Sequence, residues 1–493
     1  MLSIRKPLTL ALLRALRYPH RLVPAALRRN ARKPAFADGT PYGALDERVR
    51  RLAGAWMGAG LGPGERVLID LPNDPAFVEA RLACILAGLV AVPVPPGTSG
   101  ARLGWIAEAA EAGAYLGPRG DALPGLFGIP LDPRSGDREG YERVLREAAP
   151  LRRTPPIAPD ALLTINFTSG TTGEPKGVMS TVAGWGASLY HALRENRVAP
   201  GRGEAFLHAI PLATAGSTLI LPAVLSGARN LFVDPWDAGE ALRLIERERV
   251  TRVFVTPTML AELVDRARAR PADLSSLRCV IYGTEKAPAA RVRKAVETLG
   301  PVLQQGYGMA EALPPVCLLH PDEHARAAAE GDEGVLGSAG RPTGAVEVRV
   351  CGPDGRALGP GEAGSIRVRG PTVSPGYWRR PDLTEATRTG GWYLTGDTGF
   401  LDPAGYLHVL GREGRVLSGR ARDLVEWAES RSDVCLAWAR EGTGGIGLHV
   451  VPSCSGPPDP GDLERRAAAR AGCPVRVVPE PEAPKTPSYK LKA

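Results

Sequence analysis

The alternation of short apolar runs with amphipathic helical stretches constrains this chain more than any other property. Residues 45–56 carry apolar side chains at helical spacing, 66–71 form a short apolar run, and 76–88 return to helical character. Residues 90–94 then read as a strand stopped by Pro95-Pro96. Strand, helix, strand in this order is what a parallel sheet needs, because a parallel neighbour is reached only through a crossover. The rhythm resumes after a proline-rich passage at 152–159, with a buried strand at 162–167 and further units at 219–233, 253–255 and 279–282. From about residue 346 short strands alternate with turns such as Cys351-Gly352-Pro353-Asp354-Gly355, which marks a small β-rich part. Beyond Gly411-Arg412 a compact tail is predicted to hold a helix at 423–429, a strand at 448–451, a helix at 462–471 and a strand at 475–478. The predicted fold class is therefore α/β. A large N-terminal domain over 1–411 combines parallel-sheet subdomains with a β-rich subdomain, and a small α+β domain follows over 412–493.

At 493 residues the chain exceeds one ordinary core, and 44% hydrophobic with 23% charged residues excludes a disordered polymer. The net charge of +8 is concentrated at the start, where residues 1–37 hold nine basic side chains and no acidic one. Such a segment suits peripheral contact with an anionic membrane surface; the plainer reading is a basic helix packed on the domain. Arg14 interrupts the leading apolar run, which argues against a signal peptide, and the apolar stretch 83–95 is too short to span a bilayer. No aromatic platform accompanies the basic charge, so no nucleic-acid partner is expected. The seven cysteines form no CxxC pair, which points away from a zinc site or a disulfide framework and toward a reducing, cytoplasmic setting.

The most specific motif follows the strand at 162–167 directly: Thr168-Ser169-Gly170-Thr171-Thr172-Gly173-Glu174-Pro175-Lys176-Gly177. Its glycines let backbone approach anionic oxygens, and its hydroxyls with Lys176 supply donors for phosphate. The GxxxxGK[ST] spacing of a Walker loop is absent. This string resembles the signature loop of the AMP-forming acyl-CoA synthetase, luciferase and peptide-synthetase adenylation superfamily. Further segments resemble that family in its own order: Gln304-Gln305-Gly306-Tyr307-Gly308-Met309-Ala310-Glu311, Tyr393-Leu394-Thr395-Gly396-Asp397, Gly411-Arg412, and Pro484-Lys485-Thr486-Pro487-Ser488-Tyr489-Lys490. The likeness runs from about Gly43 to the C terminus.

The resemblance implies an enzyme that joins a carboxylic acid to AMP with release of pyrophosphate, then passes the acyl group to coenzyme A. It implies ATP and Mg²⁺ as cofactors. The phosphates would be bound by Thr168, Ser169, Gly170, Thr171, Thr172, Gly173 and Lys176. The nucleoside would be bound by Gly283, Gln305, Gly306, Tyr307, Gly308 and Met309, with Asp397 on the ribose and Arg412 on ribose or phosphate. Thr168 and Glu311 would hold the metal, and Lys490, Arg412 and Glu311 would be catalytic. Lys490 would arrive from a mobile tail that swings about a hinge at Arg415. Thr214, Gly216, Gly283 and Gly308 would line the acid pocket, where small uncharged residues suit a fatty or aryl acid better than an amino acid.

Several positions depart from the family pattern. Thr214 and Val182 stand where relatives often carry His, Arg415 where the hinge is usually Asp or Lys, and Tyr489 where Gly usually precedes the catalytic lysine. The loop at 418–423 is compressed, so the adenylation half of the chemistry is better marked than thiol transfer. Transfer to the phosphopantetheine of an acyl carrier protein stays open beside coenzyme A. A non-catalytic adenylate-binding protein is the minor alternative.

Overall fold

The computed structural model describes residues 18–119, 123–168, 175–195, 203–414 and 416–492. Two α/β lobes form the bulk of the molecule. The first is a six-stranded sheet ordered Phe127–Pro130, Ala112–Gly117, Arg66–Ile69, Val90–Pro93, Leu162–Thr168 and Lys176–Thr181, parallel except for the last strand. Helix Pro75–Ala87 is buried over nearly its whole circumference, which is why its sequence reads as apolar all round. The second is a seven-stranded sheet whose parallel part runs Leu303–Met309, Cys279–Gly283, Arg252–Val255, Ala205–His208 and Arg229–Phe232. Ala312–Leu319 and Arg341–Pro342 extend it antiparallel.

One side chain ties the lobes together at several points. Asn73 donates its amide toward the carbonyls of His208, Ala209 and Ile210, and its carbonyl accepts the Leu212 N–H at 2.7 Å. Asn73 is buried, so this claw replaces water for four backbone groups at once.

The β-rich part is an antiparallel sheet of Glu347–Cys351, Gly364–Arg369, Trp392–Leu401, Arg388–Thr389 and Leu407–Arg412. Arg412, expected to open the tail, closes the last of these strands and pairs in register with Asp397. The tail itself packs helices Gly419–Ser430 and Pro460–Ala471 on strands Val434–Gly442, Gly445–Pro452 and Val475–Pro479.

The tail docks on helices Pro257–Ala269 and Ala289–Leu299 through buried polar contacts. Arg291 forms a two-pronged ion pair with Glu429, with side chains only 6% and 1% exposed, and Glu429 also accepts the Ala437 N–H at 2.9 Å. Glu426 accepts the N–H groups of Ala289 and Ala290, both at 3.0 Å, at the start of that helix, where backbone donors lack helical partners. Lys294 donates to the carbonyls of Arg431 and Val434, and Lys485 pairs with Glu262 at 2.5 Å.

Helix Pro19–Arg29 buries His20, Val23, Ala26 and Leu27 against the first lobe, and Arg29 donates to the Leu225 carbonyl. This part of the basic N terminus is packed on the domain; residues 1–17, which carry the rest of the suggested membrane contact, lie outside the described residues. Among the described residues no helix is long and apolar enough to cross a membrane. The cysteines are free thiols, with Cys84, Cys279, Cys317 and Cys351 buried.

Candidate active site

The parallel strands of the second lobe end together, and their carboxyl ends carry the loops that a ligand would meet. Gly283 and Gly306 are cross-strand partners there. A Cβ on Gly283 would sit 2.2 Å from the Gly306 carbonyl oxygen, so only glycine allows this approach. The chain then bends through Thr284 at φ 77, a left-handed conformation rarely taken by a β-branched residue.

These loops border a cavity of about 250 Å³. Its wall includes Thr284, Glu285, Lys286, Gln305, Gly306, Tyr307, Gly308 and Met309 from the second lobe, with Asp397, Gly411 and Arg412 from the β-rich sheet. Asp397 joins the two sides. Tyr307 donates its hydroxyl to Asp397 Oδ2 at 2.6 Å, and Arg412 Nε lies 3.2 Å from Oδ1 while its Nη1 donates to the Thr395 carbonyl at 2.7 Å. Burial raises the Asp397 pKa, opposed by the Arg412 charge and the Tyr307 hydroxyl. Burial, reinforced by the Asp397 charge, pushes the Tyr307 phenol far up, so it stays a donor. Each Asp397 oxygen keeps a second lone pair, which is what two vicinal ribose hydroxyls require.

Two buried polar atoms in this wall, Thr284 Oγ1 and Gln305 Oε1, have no protein partner. A buried orphan acceptor beside an orphan hydroxyl is costly unless a ligand completes it. An adenine edge, which offers an amine donor and ring-nitrogen acceptors, matches both, so the residues present fit a nucleotide.

The phosphate loop springs from a hairpin in which Thr168 and Lys176 are the final cross-strand pair. Ser169, Gly170, Thr171, Thr172 and Gly173, with Arg415, expected at the hinge, lie outside the described residues. Segment 372–378 lies between this hairpin and strand Ala312–Leu319, bridging Val178 through Tyr377 and Ala312 through Val373. Tyr377 donates to Glu311 Oε1 at 3.0 Å, and Lys176 Nζ lies 5.8 Å from the Tyr377 ring centroid. Burial and the Glu311 charge push the Tyr377 phenol up to about 12. Glu311 thus keeps Oε2 for a ligand. A hydroxyl and a carboxylate fit Mg²⁺ only with phosphate oxygens and water filling the remaining positions, and among the described residues no cluster of three or more His, Cys, Asp or Glu could hold a metal alone.

Lys490 enters from the tail beside Glu285 and Arg412. Burial lowers its pKa, Glu285 acts against that, and Arg412 adds to it. Thr214 and Gly216 sit at the carboxyl end of strand Ala205–His208, outside the cavity wall. Thr214 turns its hydroxyl back onto the Pro211 carbonyl at 2.9 Å, and a Cβ on Gly216 would meet the Ile210 carbonyl oxygen at 2.4 Å. Gly308 packs so tightly on Pro314 that a Cβ would fall 2.8 Å from that ring. Tyr377 and Lys286 were not foreseen from the sequence. Lys286 is pushed to a lower pKa by burial and then by Arg422.

A cavity at the carboxyl edge of a parallel sheet, walled by Tyr307 from that lobe and by Asp397 and Arg412 from the β-rich sheet, is the arrangement of an adenylate-forming ligase. Residues 23–378 match the family described as AMP-binding enzyme. A feruloyl-CoA synthase of Amycolatopsis sp is 36% identical over 388 residues, covering 77% of this chain and 74% of its own. A medium/long-chain-fatty-acid–CoA ligase, FadD8, of Mycobacterium tuberculosis is 32% identical over 320 residues, covering 62% of this chain and 54% of its own. Among solved structures, the amide bond synthetase McbA from Marinactinospora thermotolerans superimposes with a TM-score of 0.80 at 28% identity, covering 96% of this chain and 98% of that one. The chain belongs to the AMP-binding enzyme family, within the adenylate-forming acyl-CoA synthetase superfamily, and is an AMP-forming acid–thiol ligase.

Proposed function

We propose that this enzyme activates an aromatic carboxylic acid as its acyl adenylate and transfers the acyl group to coenzyme A. The observation that carries the adenylation step is the meeting of Arg412 with the Tyr307–Asp397 pair in the wall of one cavity, whose wall residue Glu285 also holds the backbone next to Lys490. An acid oxygen attacks the α-phosphorus of ATP, the bond to the β-phosphate oxygen breaks, and pyrophosphate leaves. Asp397 and Tyr307 hold the ribose and adenine, while Lys490 and Arg412 supply positive charge where two anions meet. Thr168 and Glu311 would hold magnesium, which when bound would neutralise charge on the leaving group. In the second half the thiol sulfur attacks the acyl carbonyl carbon, and AMP leaves with the electron pair of the mixed anhydride.

Preference for an aryl over a fatty acid is supported by the alignment with feruloyl-CoA synthase, which spans about three quarters of both chains, against just over half of the fatty-acid ligase. An amine acceptor is a second reading. It is favoured by the near full-length likeness to an amide bond synthetase, together with the altered segment around Arg415.

The test is pyrophosphate release across aromatic, fatty and amino acids, each with no acceptor, coenzyme A, a phosphopantetheinylated carrier protein or a primary amine. Acyl-CoA formed from an aromatic acid is the expected product. Pyrophosphate release with no acid in the panel would overturn the function. Amide formation without acyl-CoA would replace the acceptor.

A further inference from the structure

The turn that carries Lys490 is fastened to the large domain on both sides. Before it, Tyr489 accepts the Trp236 N–H on its hydroxyl at 3.0 Å, and the Tyr489 carbonyl accepts the Thr256 hydroxyl at 2.8 Å. After it, Leu491 donates its N–H to Glu285 Oε2 at 2.9 Å. The other oxygen, Glu285 Oε1, accepts both the N–H and the hydroxyl of Thr258, at 3.0 and 2.7 Å. One carboxylate therefore spans the start of helix Pro257–Ala269, the nucleotide loop and the tail.

The backbone geometry has the same sense. Tyr489 holds φ 59, a conformation in which an L side chain crowds the following carbonyl, and its ring packs against the second-lobe core. The Tyr489 side chain and carbonyl, with the Leu491 N–H, are thus engaged in holding one arrangement of this turn.

We propose that Glu285 and Tyr489 are positioning residues for adenylation, latching the Lys490 turn onto the nucleotide loop. The inference rests on the role given above to Lys490. The charges that act on this ammonium are Glu285 from the nucleotide loop and Arg412 from strand Leu407–Arg412, the latter paired with Asp397. Glu285 is the attractive member of that set. Its charge favours the ammonium form, while burial and Arg412 disfavour it. Because the latch grips the residues on either side of Lys490, any swing of the tail that withdraws the lysine must first release Glu285 and Tyr489.

The test uses full-length protein and three variants: Lys490→Ala, Glu285→Gln and Tyr489→Phe. ATP–pyrophosphate exchange is measured as a function of pH with the acid giving the fastest pyrophosphate release, and hydrogen exchange of residues 486–492 is followed without substrates. Lys490→Ala is expected to lose about a hundredfold or more of exchange activity. Glu285→Gln is expected to lose about tenfold. It should also move the alkaline limb to lower pH by about one pH unit, because the ammonium required for catalysis loses the opposing charge of Glu285. Tyr489→Phe should lose activity by a smaller factor, about threefold, with the limb unmoved. In both latch variants residues 486–492 should exchange about tenfold faster, while first-lobe peptides keep wild-type protection. A Glu285→Gln enzyme with wild-type activity and an unmoved limb, or unchanged protection of 486–492, overturns the latch. Wild-type exchange in Lys490→Ala overturns the lysine assignment and the latch with it.

Discussion

Glu429→Ala should loosen the tail by an amount that the structure sets. Glu429 is almost wholly buried, pairs through both oxygens with the buried Arg291, and also accepts the Ala437 N–H. Truncation leaves a guanidinium and an amide without partners in a place water barely reaches. Breaking one side of such a pair costs about 3–5 kcal/mol. Part of that falls inside the tail through Ala437, so about 3 kcal/mol is assigned to docking, or roughly a hundredfold in the opening equilibrium. The N–H groups of Ala289 and Ala290 report this opening without involving the mutated residue, because their partner is Glu426 across the same interface. Hydrogen exchange of peptides covering 286–292 should therefore accelerate about a hundredfold in Glu429→Ala, while first-lobe strands stay protected. The double variant Arg291→Met/Glu429→Leu should restore most of the protection, since it leaves no buried charge behind. Unchanged exchange at 286–292 in the single variant would refute the reasoning.

Asp397→Asn should raise the KM for ATP by about tenfold, by weakening acceptance from ribose hydroxyls and releasing Arg412; steady-state kinetics at saturating acid would check it. Gly283→Ala should abolish nucleotide binding or destabilise the protein by about 2 kcal/mol or more, because its Cβ would overlap the Gly306 carbonyl; calorimetric titration with AMP and urea unfolding separate the two results. Adenylation should fall on the alkaline side at a pH below the ordinary lysine value. Burial lowers the Lys490 pKa, the active form is the ammonium, and activity is lost as pH rises through that lowered value. A pH–rate profile with an intact plateau through the ordinary lysine range would contradict this.

The crossover rhythm of the first 300 residues was legible because parallel sheets write themselves as separated apolar runs, and strands at Arg66–Ile69, Val90–Pro93 and Cys279–Gly283 fall within a residue or two of expectation. Strand Val434–Gly442 was not foreseen. Its first six residues are nearly all buried, packed on both the tail core and the large domain, so the alternation that marks a half-buried strand is missing. Motif residues were legible as a set, since Tyr307, Asp397 and Arg412 each belong to a recognisable string and meet in space. Glu285 is marked only by the Gly283-Thr284-Glu285 segment expected beside the nucleotide, and Tyr377 belongs to no such string. Their roles arise from contacts 206 and 66 residues away, with Leu491 and Glu311, and local sequence carries no trace of that proximity. Arg412 was assigned to the tail because its motif marks a boundary; its side chain and strand pairing belong to the sheet it closes.

The Asn73 claw has a bearing on redesign. Thr214 and Gly216, which the resemblance places at the acid pocket, follow backbone at 208–212 that is held by an amide from the other lobe. Libraries confined to 211–217 should tolerate side-chain change while Asn73 stays, whereas loop-length changes would strand four polar groups at the seam. Altering the acid preference of this enzyme is thus a problem of two lobes at once, with residue 73 kept constant or co-selected.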